Sequence, residues 1–409
     1  MEFLISDFQY DLPASRISQF PLAERDQSKL LICKHGQLGE DVFRNIAGHL
    51  PERGLLLVND TRVIHARLLF RKPTGALVEI FCLNPVAPVQ EIQTAFAQPS
   101  DVQWKCLIGN AKRWKQGLLE AFTEIQGERI RFSAERITTL DNPCVVRFRW
   151  IPDHFTFSEV LEAFGKIPLP PYIQREPQPI DAIRYQTLFA RTDGSVAAPT
   201  AGLHFSEHVF QQLKIRQIET ARITLHVGAG TFTPVTSEHI SDHIMHPEWF
   251  SIDRETILSL YRSSYSQRII VGTTTVRALE SLYWYGVRLI QHQEDPVPKV
   301  IGQWDPYTVM KQGSVPVAHS LEAVLEHMDK NGLKNLYGET RLMIIPGYRF
   351  RFTDILITNF HQPRSTLLLL VAAFIGNEWK RAYQYALDHD FRFLSYGDSC
   401  LFYGKESLP

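Results

Sequence analysis

The sequence has little cysteine: Cys33, Cys82, Cys106, Cys144 and Cys400 lie far apart, an odd number with no CxxC pair. Such spacing supports neither a disulfide framework nor a zinc knuckle, and it points to reduced thiols in a cytoplasm. An excess of either charge is also missing. Lys plus Arg number 43 against 44 for Asp plus Glu, a formal net charge of -1, so the chain lacks the bulk signature of a nucleic-acid or membrane binder and any basic face must be local. There is no apolar run near the roughly 20 residues that a spanning helix needs. The strongest one, Leu367-Leu-Leu-Leu-Val-Ala-Ala-Phe-Ile375, suits a buried helix. Met1-Glu-Phe-Leu-Ile-Ser-Asp7 has neither the basic start nor the long apolar core of a secretory signal. Nucleotide-loop spacings are lacking as well. Gly272-Thr-Thr-Thr275 matches neither a Walker nor a Rossmann loop, and Gly228-Ala-Gly-Thr-Phe-Thr-Pro234 fails as a dinucleotide fingerprint because Pro234 stands where a helix should start.

What is present is an ordinary core-forming composition: 409 residues, 44% hydrophobic and 21% charged, enough for two or three domains. Pro13 opens a short helix that Pro21 stops, and Arg25 to Cys33 reads as a strand. Gly54-Leu-Leu-Leu-Val58 is a buried strand running into the polar Asn59-Asp-Thr-Arg62, where a plain turn and a functional site are equally good readings. From about Ala66 to Trp150 short alternating segments separated by Gly, Pro and Asn predict an all-β unit, a small barrel inserted after the first strand. Phe157 to Phe164 is helical, and Ile167 to Ile173 is a stiff, apolar connector. Three strand units typical of α/β folds follow: Thr220 to Val227, Arg268 to Val271 and Asp354 to Thr358, the last two each breaking into a helix. In the first, His226 points away from the apolar face formed by Ala221, Ile223, Leu225 and Val227. The polar stretch Gly286 to Leu336, with a helical piece near Ser320 to Met328, is expected to be an insertion or flap.

Chemistry is expected between Arg191 and Phe232, where Gly194-Ser-Val-Ala-Ala-Pro-Thr-Ala-Gly-Leu-His-Phe205 and Thr224-Leu-His-Val-Gly-Ala-Gly-Thr-Phe232 combine small residues with single histidines. Small residues let backbone approach a ligand, and an imidazole beside it titrates near neutrality. Gly272 to Thr275, between strand and helix, offers amides and hydroxyls to a carboxylate or phosphate, although a merely capped helix explains it equally. His204, His226, His243, His246 and His361 all sit beside turns or strand ends. His243-Ile-Met-His246 has no third ligand at a clear spacing, so acid-base or hydrogen-bonding roles outrank a metal site. Asp398, after a Gly turn, reads as a base, a ribose binder or a turn residue. Asn110-Ala-Lys-Arg-Trp-Lys115 interleaves base and aromatic as nucleic-acid surfaces do; a solvated turn with one packed Trp is the simpler reading.

Taken together, these segments resemble the S-adenosylmethionine:tRNA ribosyltransferase-isomerase family of queuosine biosynthesis. The resemblance rests on Asp7-Phe-Gln-Tyr-Asp-Leu-Pro13, Asn59-Asp-Thr-Arg-Val-Ile64, Val196 to Phe205, Leu225 to Phe232, Asp242 to His246, Val271 to Arg277 with Leu279-Glu-Ser281, Ile345-Pro-Gly-Tyr348, Thr358 to Pro363 and Ser395 to Asp398. It implies an α/β fold: a main domain with a barrel-like mixed sheet and surrounding helices (1–65 and 151–409, with 286–336 as the insertion or flap), plus a small inserted β-barrel domain (66–150). Three features depart from the family pattern: His65 stands for a proline, Gln362 for a leucine, and Gly286 to Leu336 is longer.

The resemblance also implies the reaction. The ribosyl part of S-adenosylmethionine, a co-substrate, is transferred to the aminomethyl group of a 7-deazaguanine at the tRNA wobble position and isomerised, giving epoxyqueuosine, adenine and methionine. A base must take a proton beside the sulfonium, an acid must help adenine leave, and the attacking amine must be neutral. His204, His226, His361 and Asp398 are the candidates for proton transfer. Asn59, Asp60, Thr61, Arg62, Thr200, Gly202, Gly228, Gly230, Thr231, Gly272, Thr273, Thr274, Arg277 and Asn359 are the expected substrate-binding residues; no bound cofactor or metal is expected. Arg62, Arg67, Lys112, Arg113 and Lys115 would form the local face that meets tRNA phosphates. A cytoplasmic monomer is expected. The alternatives are a diverged paralogue acting on another modified base or amine acceptor, a metal-dependent hydrolase at His243 and His246, and a non-catalytic tRNA-binding module.

Overall fold

The strand Leu55–Asn59 is buried at every position. An apolar run without alternation belongs in a sheet covered on both faces, and this strand lies in the interior of a large mixed sheet. Across that ten-stranded sheet the order is Lys299–Ile301, Asn335–Thr340, Glu248–Asp253, Glu219–His226, Leu55–Asn59, Arg268–Val271, Ile355–Asn359, Ser399–Tyr403, Lys29–Lys34 and Gln37–Val42. The three strands Glu219–His226, Leu55–Asn59 and Arg268–Val271 run parallel, as do Arg268–Val271 and Ile355–Asn359. The computed structural model describes residues 3–109, 111–138, 143–228, 235–262, 265–291, 299–309 and 315–404.

Seven further strands form an antiparallel sheet in the order Gly165–Lys166, Arg67–Arg71, Leu77–Ala87, Val102–Gly109, Cys144–Ile151, Glu128–Arg136 and Leu119–Ile125. Its alternating sequence shows directly in burial: Val102, Trp104, Cys106 and Ile108 are buried while their neighbours are not. The buried side chains meet Phe157, Val160 and Leu161 of the helix Phe157–Phe164, giving a core separate from that of the large sheet. The expected mixed α/β class with a large mixed sheet and surrounding helices is what the chain adopts.

Several elements differ from expectation in extent. The N-terminal helix is a single 3-10 turn, Ala14–Arg16, and Arg25–Gln27 is another 3-10 turn that precedes the strand Lys29–Lys34. The helix after Gly272 begins at Thr273 and runs to Gln291. It therefore absorbs the start of the stretch expected as an insertion or flap. The described remainder is also built into the main unit: Lys299–Ile301 and Asn335–Thr340 pair in the large sheet, and the helix Val317–Lys330 buries Ser320, Leu321, Val324, Leu325 and Met328. At Gly286 an added Cβ would come 2.2 Å from the Ser320 carbonyl oxygen. That glycine is thus a packing contact between the two helices, a role its sequence neighbours do not signal.

Candidate active site

The parallel strands Arg268–Val271 and Ile355–Asn359 end side by side. Ligands of open α/β sheets bind beyond such carboxyl ends, because the loops leaving them splay apart. A cleft of about 730 Å³, counted to its open mouth, lies there, bounded by Ala197 to Ala201, Gly272 to Thr274, Thr358 to Gln362, Ser365 and Ser395. Among the described residues its polar groups are hydroxyls, amides and one imidazole, and no Asp, Glu, Lys or Arg is among its walls.

One wall is the first turn of the helix Thr273–Gln291. Gly272 makes the turn from strand to helix at φ +88°, a conformation costly for residues with a Cβ, and its amide donates to the Ile357 carbonyl at 2.8 Å. The Thr273 and Thr274 amides have no partner within the helix, so they and the helix dipole favour an anion at this end. Thr275 instead turns its hydroxyl back to the Val271 carbonyl at 2.6 Å.

The opposite wall is the turn after Ile355–Asn359. His361 is buried, its Nε2 lies 3.0 Å from Thr358 Oγ1, and burial holds its pKa down to about 3. Its backbone is pinned as well: the amide donates to the Tyr383 hydroxyl at 3.1 Å and the carbonyl accepts from Tyr10 at 2.5 Å. Asn359 donates through Nδ2 to the Leu394 and Ser395 carbonyls at 2.9 and 3.3 Å. Both bonds fix its amide orientation, leaving Oδ1 to accept from His204 Nε2 at 2.9 Å. His204 Nδ1 is then the acceptor, and Ser28 Oγ donates to it at 2.7 Å. Burial lowers the His204 pKa to about 4, so a neutral ring occupies this chain at neutral pH.

The structure divides the expected site residues into groups. Thr200, Gly272, Thr273, Thr274, Asn359 and His361 line the cleft together. His204 stands behind Asn359. His226 lies in a different cleft with Asp60, Thr224 and Trp249, where its Nδ1 is 3.1 Å from Thr61 Oγ1 and burial holds its pKa at about 4. Burial raises the Asp60 pKa despite a 2.8 Å hydrogen bond from Thr224 Oγ1. Asn59 is spent on local pairing, bonding the Leu225 amide and carbonyl at 3.0 and 2.9 Å. Gly202 packs on Phe189 and Thr187. Among the described residues nothing lies within 4 Å of a Cβ added at Gly228, and Gly230 and Thr231 lie outside the described residues. Arg277 is buried against Glu248 and donates to the Leu342 carbonyl at 3.0 Å. Asp398 is also engaged: it takes the Lys29 amide at 3.0 Å, the Arg392 amide at 2.7 Å and the Arg392 guanidinium at 2.6 Å. Neither Arg277 nor Asp398 lines the cleft.

The expected basic face is mixed. Arg62 is exposed, with Asp193 and Glu162 at 3.7 and 3.8 Å, whereas Arg67 is paired with Glu79 and Glu176. In the basic-aromatic loop Lys112 and Lys115 are exposed but Trp114 is fully buried, its Nε1 donating to the Gly117 carbonyl at 2.9 Å. Asn110 is outside the described residues, and nothing is described of the Arg113 side chain. Among the described residues no group of three or more His, Cys, Asp or Glu is placed to hold a metal ion. No described helix is long and apolar enough to cross a membrane.

Tyr172, Ser365 and Ser395 are cleft residues that sequence reasoning missed. Tyr172 belongs to the connector, and its hydroxyl lies 2.6 Å from Ser395 Oγ, joining these distant segments. Ser395 opens the short motif in which Asp398 drew attention by charge.

The family model for "Queuosine biosynthesis protein" matches residues 5–402. A Polynucleobacter asymbioticus protein named S-adenosylmethionine:tRNA ribosyltransferase-isomerase is 39% identical over 99% of this chain and 99% of its own length. A protein of the same name from Magnetococcus marinus is 36% identical over 98% of this chain and 94% of its own length. Among solved structures, an S-adenosylmethionine tRNA ribosyltransferase from Thermotoga maritima is 26% identical, covering 97% of this chain and 99% of that one, with a TM-score of 0.45.

Proposed function

The chain belongs to the queuosine biosynthesis protein family, and we propose that it is an S-adenosylmethionine-dependent tRNA ribosyltransferase-isomerase whose reaction takes place in the uncharged cleft between Gly272 and His361. The ribosyl moiety of S-adenosylmethionine is transferred to 7-aminomethyl-7-deazaguanine at the tRNA wobble position and isomerised to epoxyqueuosine, releasing adenine and methionine.

The observation that carries the placement is convergence. Segments far apart in sequence, Ala197 to Ala201, Gly272 to Thr274, Thr358 to Gln362 and Ser395, meet in one cleft at the ends of parallel strands. The helix end at Thr273 and Thr274 suits the carboxylate of the methionyl part, since it supplies donors and partial positive charge without a competing acid. Uncharged walls suit the sulfonium end, because among the described lining residues no carboxylate neutralises the positive charge that acidifies the neighbouring C–H. His361 acts there as proton acceptor. Burial keeps the ring neutral at neutral pH, so it offers an unprotonated nitrogen and carries no imidazolium proton for adenine. His204 and Asn359 position the turn that carries His361, and Asp398 holds Arg392.

The same reading takes residues 66–150 as an inserted small β-barrel domain on a main domain of 1–65 and 151–409. It also takes Arg62, Lys112 and Lys115 as the exposed part of the tRNA face, and the protein as a cytoplasmic monomer. Incubation with precursor-bearing tRNA and S-adenosylmethionine tests the function: epoxyqueuosine by nucleoside mass spectrometry, with one adenine released per nucleoside formed, is expected. Adenine release that does not depend on the tRNA base would overturn it.

A further inference from the structure

A second, narrower cleft of about 290 Å³, counted to its mouth, opens beside the first, and Ser395 lines both. Three arginines enter it from separate parts of the chain: Arg25, Arg184 and Arg392. The last is balanced by Asp398 at 2.6 Å, and nearby Arg175 is balanced by Asp181 at 2.7 Å. Asp181 is filled by that pair, the Gln178 amide and the Tyr396 hydroxyl, each at 2.7 or 2.8 Å. Among the described residues Arg25 and Arg184 have no carboxylate partner. Arg25 Nη1 donates to the Gln186 carbonyl at 3.1 Å and Arg184 Nη1 to the Ala23 carbonyl at 2.7 Å, while Arg184 Nε is buried with no partner.

Two guanidinium charges facing one partly desolvated space repel each other and have lost hydration without gaining a counter-charge. The strain registers on Arg25, whose pKa is lowered first by burial and then by the Arg184 charge. Such an arrangement is completed by an anion. Planar guanidinium forks converging from different directions match the oxygens of a phosphate, which can accept from several donors at once.

We infer that the cleft between Arg25, Arg184 and Arg392 seats a backbone phosphodiester of the RNA substrate, beside the nucleotide whose base enters the uncharged cleft. The inference rests on the tRNA-modifying function proposed above. Ser28 and His204, both in the arginine cleft, connect it to Asn359 in the reaction cleft through hydrogen bonds of 2.7 and 2.9 Å. A phosphate held here therefore fixes the RNA within one side-chain chain of the reacting centre, which is what positioning a base requires.

The test is equilibrium binding of precursor-bearing tRNA across a salt series, with S-adenosylmethionine binding and the unfolding midpoint measured alongside. Arg25→Gln and Arg184→Gln each remove a charge and retain a donor. The expected result is tRNA affinity at least tenfold weaker at moderate salt, a slope of log affinity against log salt shallower by about 1, and unchanged S-adenosylmethionine affinity. Arg25→Lys and Arg184→Lys keep the charge and lose the fork, so they serve if the glutamine variants do not fold; a several-fold loss is expected. Folded variants that bind tRNA with wild-type affinity and salt slope overturn the inference. A wild-type protein that binds tRNA but never forms epoxyqueuosine refutes the proposed function instead, and leaves this binding comparison intact.

Discussion

His204 donates from Nε2 to Asn359 Oδ1 across 2.9 Å, although the two residues are 155 positions apart. The direction is fixed because Asn359 Nδ2 is committed to two carbonyls and His204 Nδ1 accepts from Ser28. Asn359→Asp retains the acceptor that His204 needs and places an oxygen against the Leu394 and Ser395 carbonyls. A buried acceptor facing two others should cost about 1–3 kcal/mol and loosen the wall beside Ser395. A lower unfolding midpoint and at least tenfold slower adenine release are expected; wild-type turnover would show that this chain does not hold the cleft together.

His361 and Asp398 were equal candidates from sequence, and the structure separates their environments. His361→Ala should lower adenine release on the order of 100-fold or more, the usual contribution of a positioned proton acceptor, with S-adenosylmethionine binding retained. Asp398→Asn should lower the unfolding midpoint first, since it removes the charge that balances the Arg392 guanidinium and turns an amide NH2 toward the Lys29 or Arg392 backbone donor. Calorimetry and single-turnover adenine release on both variants separate the roles. An Asp398→Asn protein of normal stability and no activity would move Asp398 into the chemistry.

Much of the fold was legible because its strands carry period-two or fully apolar patterns. Leu55–Asn59 and Phe157–Phe164 fall where the sequence places a buried strand and a helix, and the alternation from Ala66 to about Trp150 supplies six strands of the seven-stranded sheet. The site was legible only in pieces. Glycines and threonines at strand ends marked Gly272 to Thr274, but nothing in the sequence says that His226 faces another cleft or that Tyr172 meets Ser395. Those facts depend on which strands become neighbours. In the stretch Gly286 to Leu336 the apolar positions Leu321, Val324 and Met328 are sparse, and the helix they pack against, which begins at Thr273, is distant in sequence, so the sequence does not say where this segment lies.

Gly272 and Gly286 allow two glycine effects to be told apart. At Gly272 the nearest atom to an added Cβ is 3.8 Å away, so space is ample and the penalty of Gly272→Ala comes from holding φ at +88°. About 1–2 kcal/mol is expected, together with a raised KM for S-adenosylmethionine as the amides of Thr273 and Thr274 shift. At Gly286 the Cβ would meet the Ser320 carbonyl at 2.2 Å, so Gly286→Ala should destabilise by driving two helices apart and leave the KM of any folded fraction unchanged. Denaturant midpoints with steady-state kinetics check both; a normal KM in Gly272→Ala would argue against an anion seat at that helix end.

Acid should weaken the protein through its buried imidazoles. Burial lowers the pKa of His204 and His226 to about 4 and of His361 to about 3. Above the ordinary histidine pKa of about 6.5 both folded and unfolded rings are neutral and contribute no pH dependence. As pH falls from there toward 4 the unfolded chain binds protons that the folded one excludes, so stability is lost, by up to about 3 kcal/mol per ring. The unfolding midpoint should therefore drop steadily between pH 6.5 and 4, and His226→Asn should flatten part of that slope. Identical slopes in the variant and the wild type would mean that His226 takes up its proton in the folded state.

Trp114 decides how the basic loop is used. Its ring is fully buried and its Nε1 bonds the Gly117 carbonyl at 2.9 Å, whereas Lys112 and Lys115 are exposed. A ring inside the core of the seven-stranded sheet cannot stack on an RNA base without leaving it, so the RNA contact proposed for this loop would rest on charge alone. Trp114→Phe should lower stability by about 1–3 kcal/mol, through lost volume and an unmet carbonyl, with little change in tRNA affinity. Lys112→Ala with Lys115→Ala should do the reverse: unchanged stability, weaker tRNA binding, and a shallower salt slope whatever the RNA sequence. Weakened binding in folded Trp114→Phe at high salt, where phosphate contacts are screened, would instead place the ring against a base.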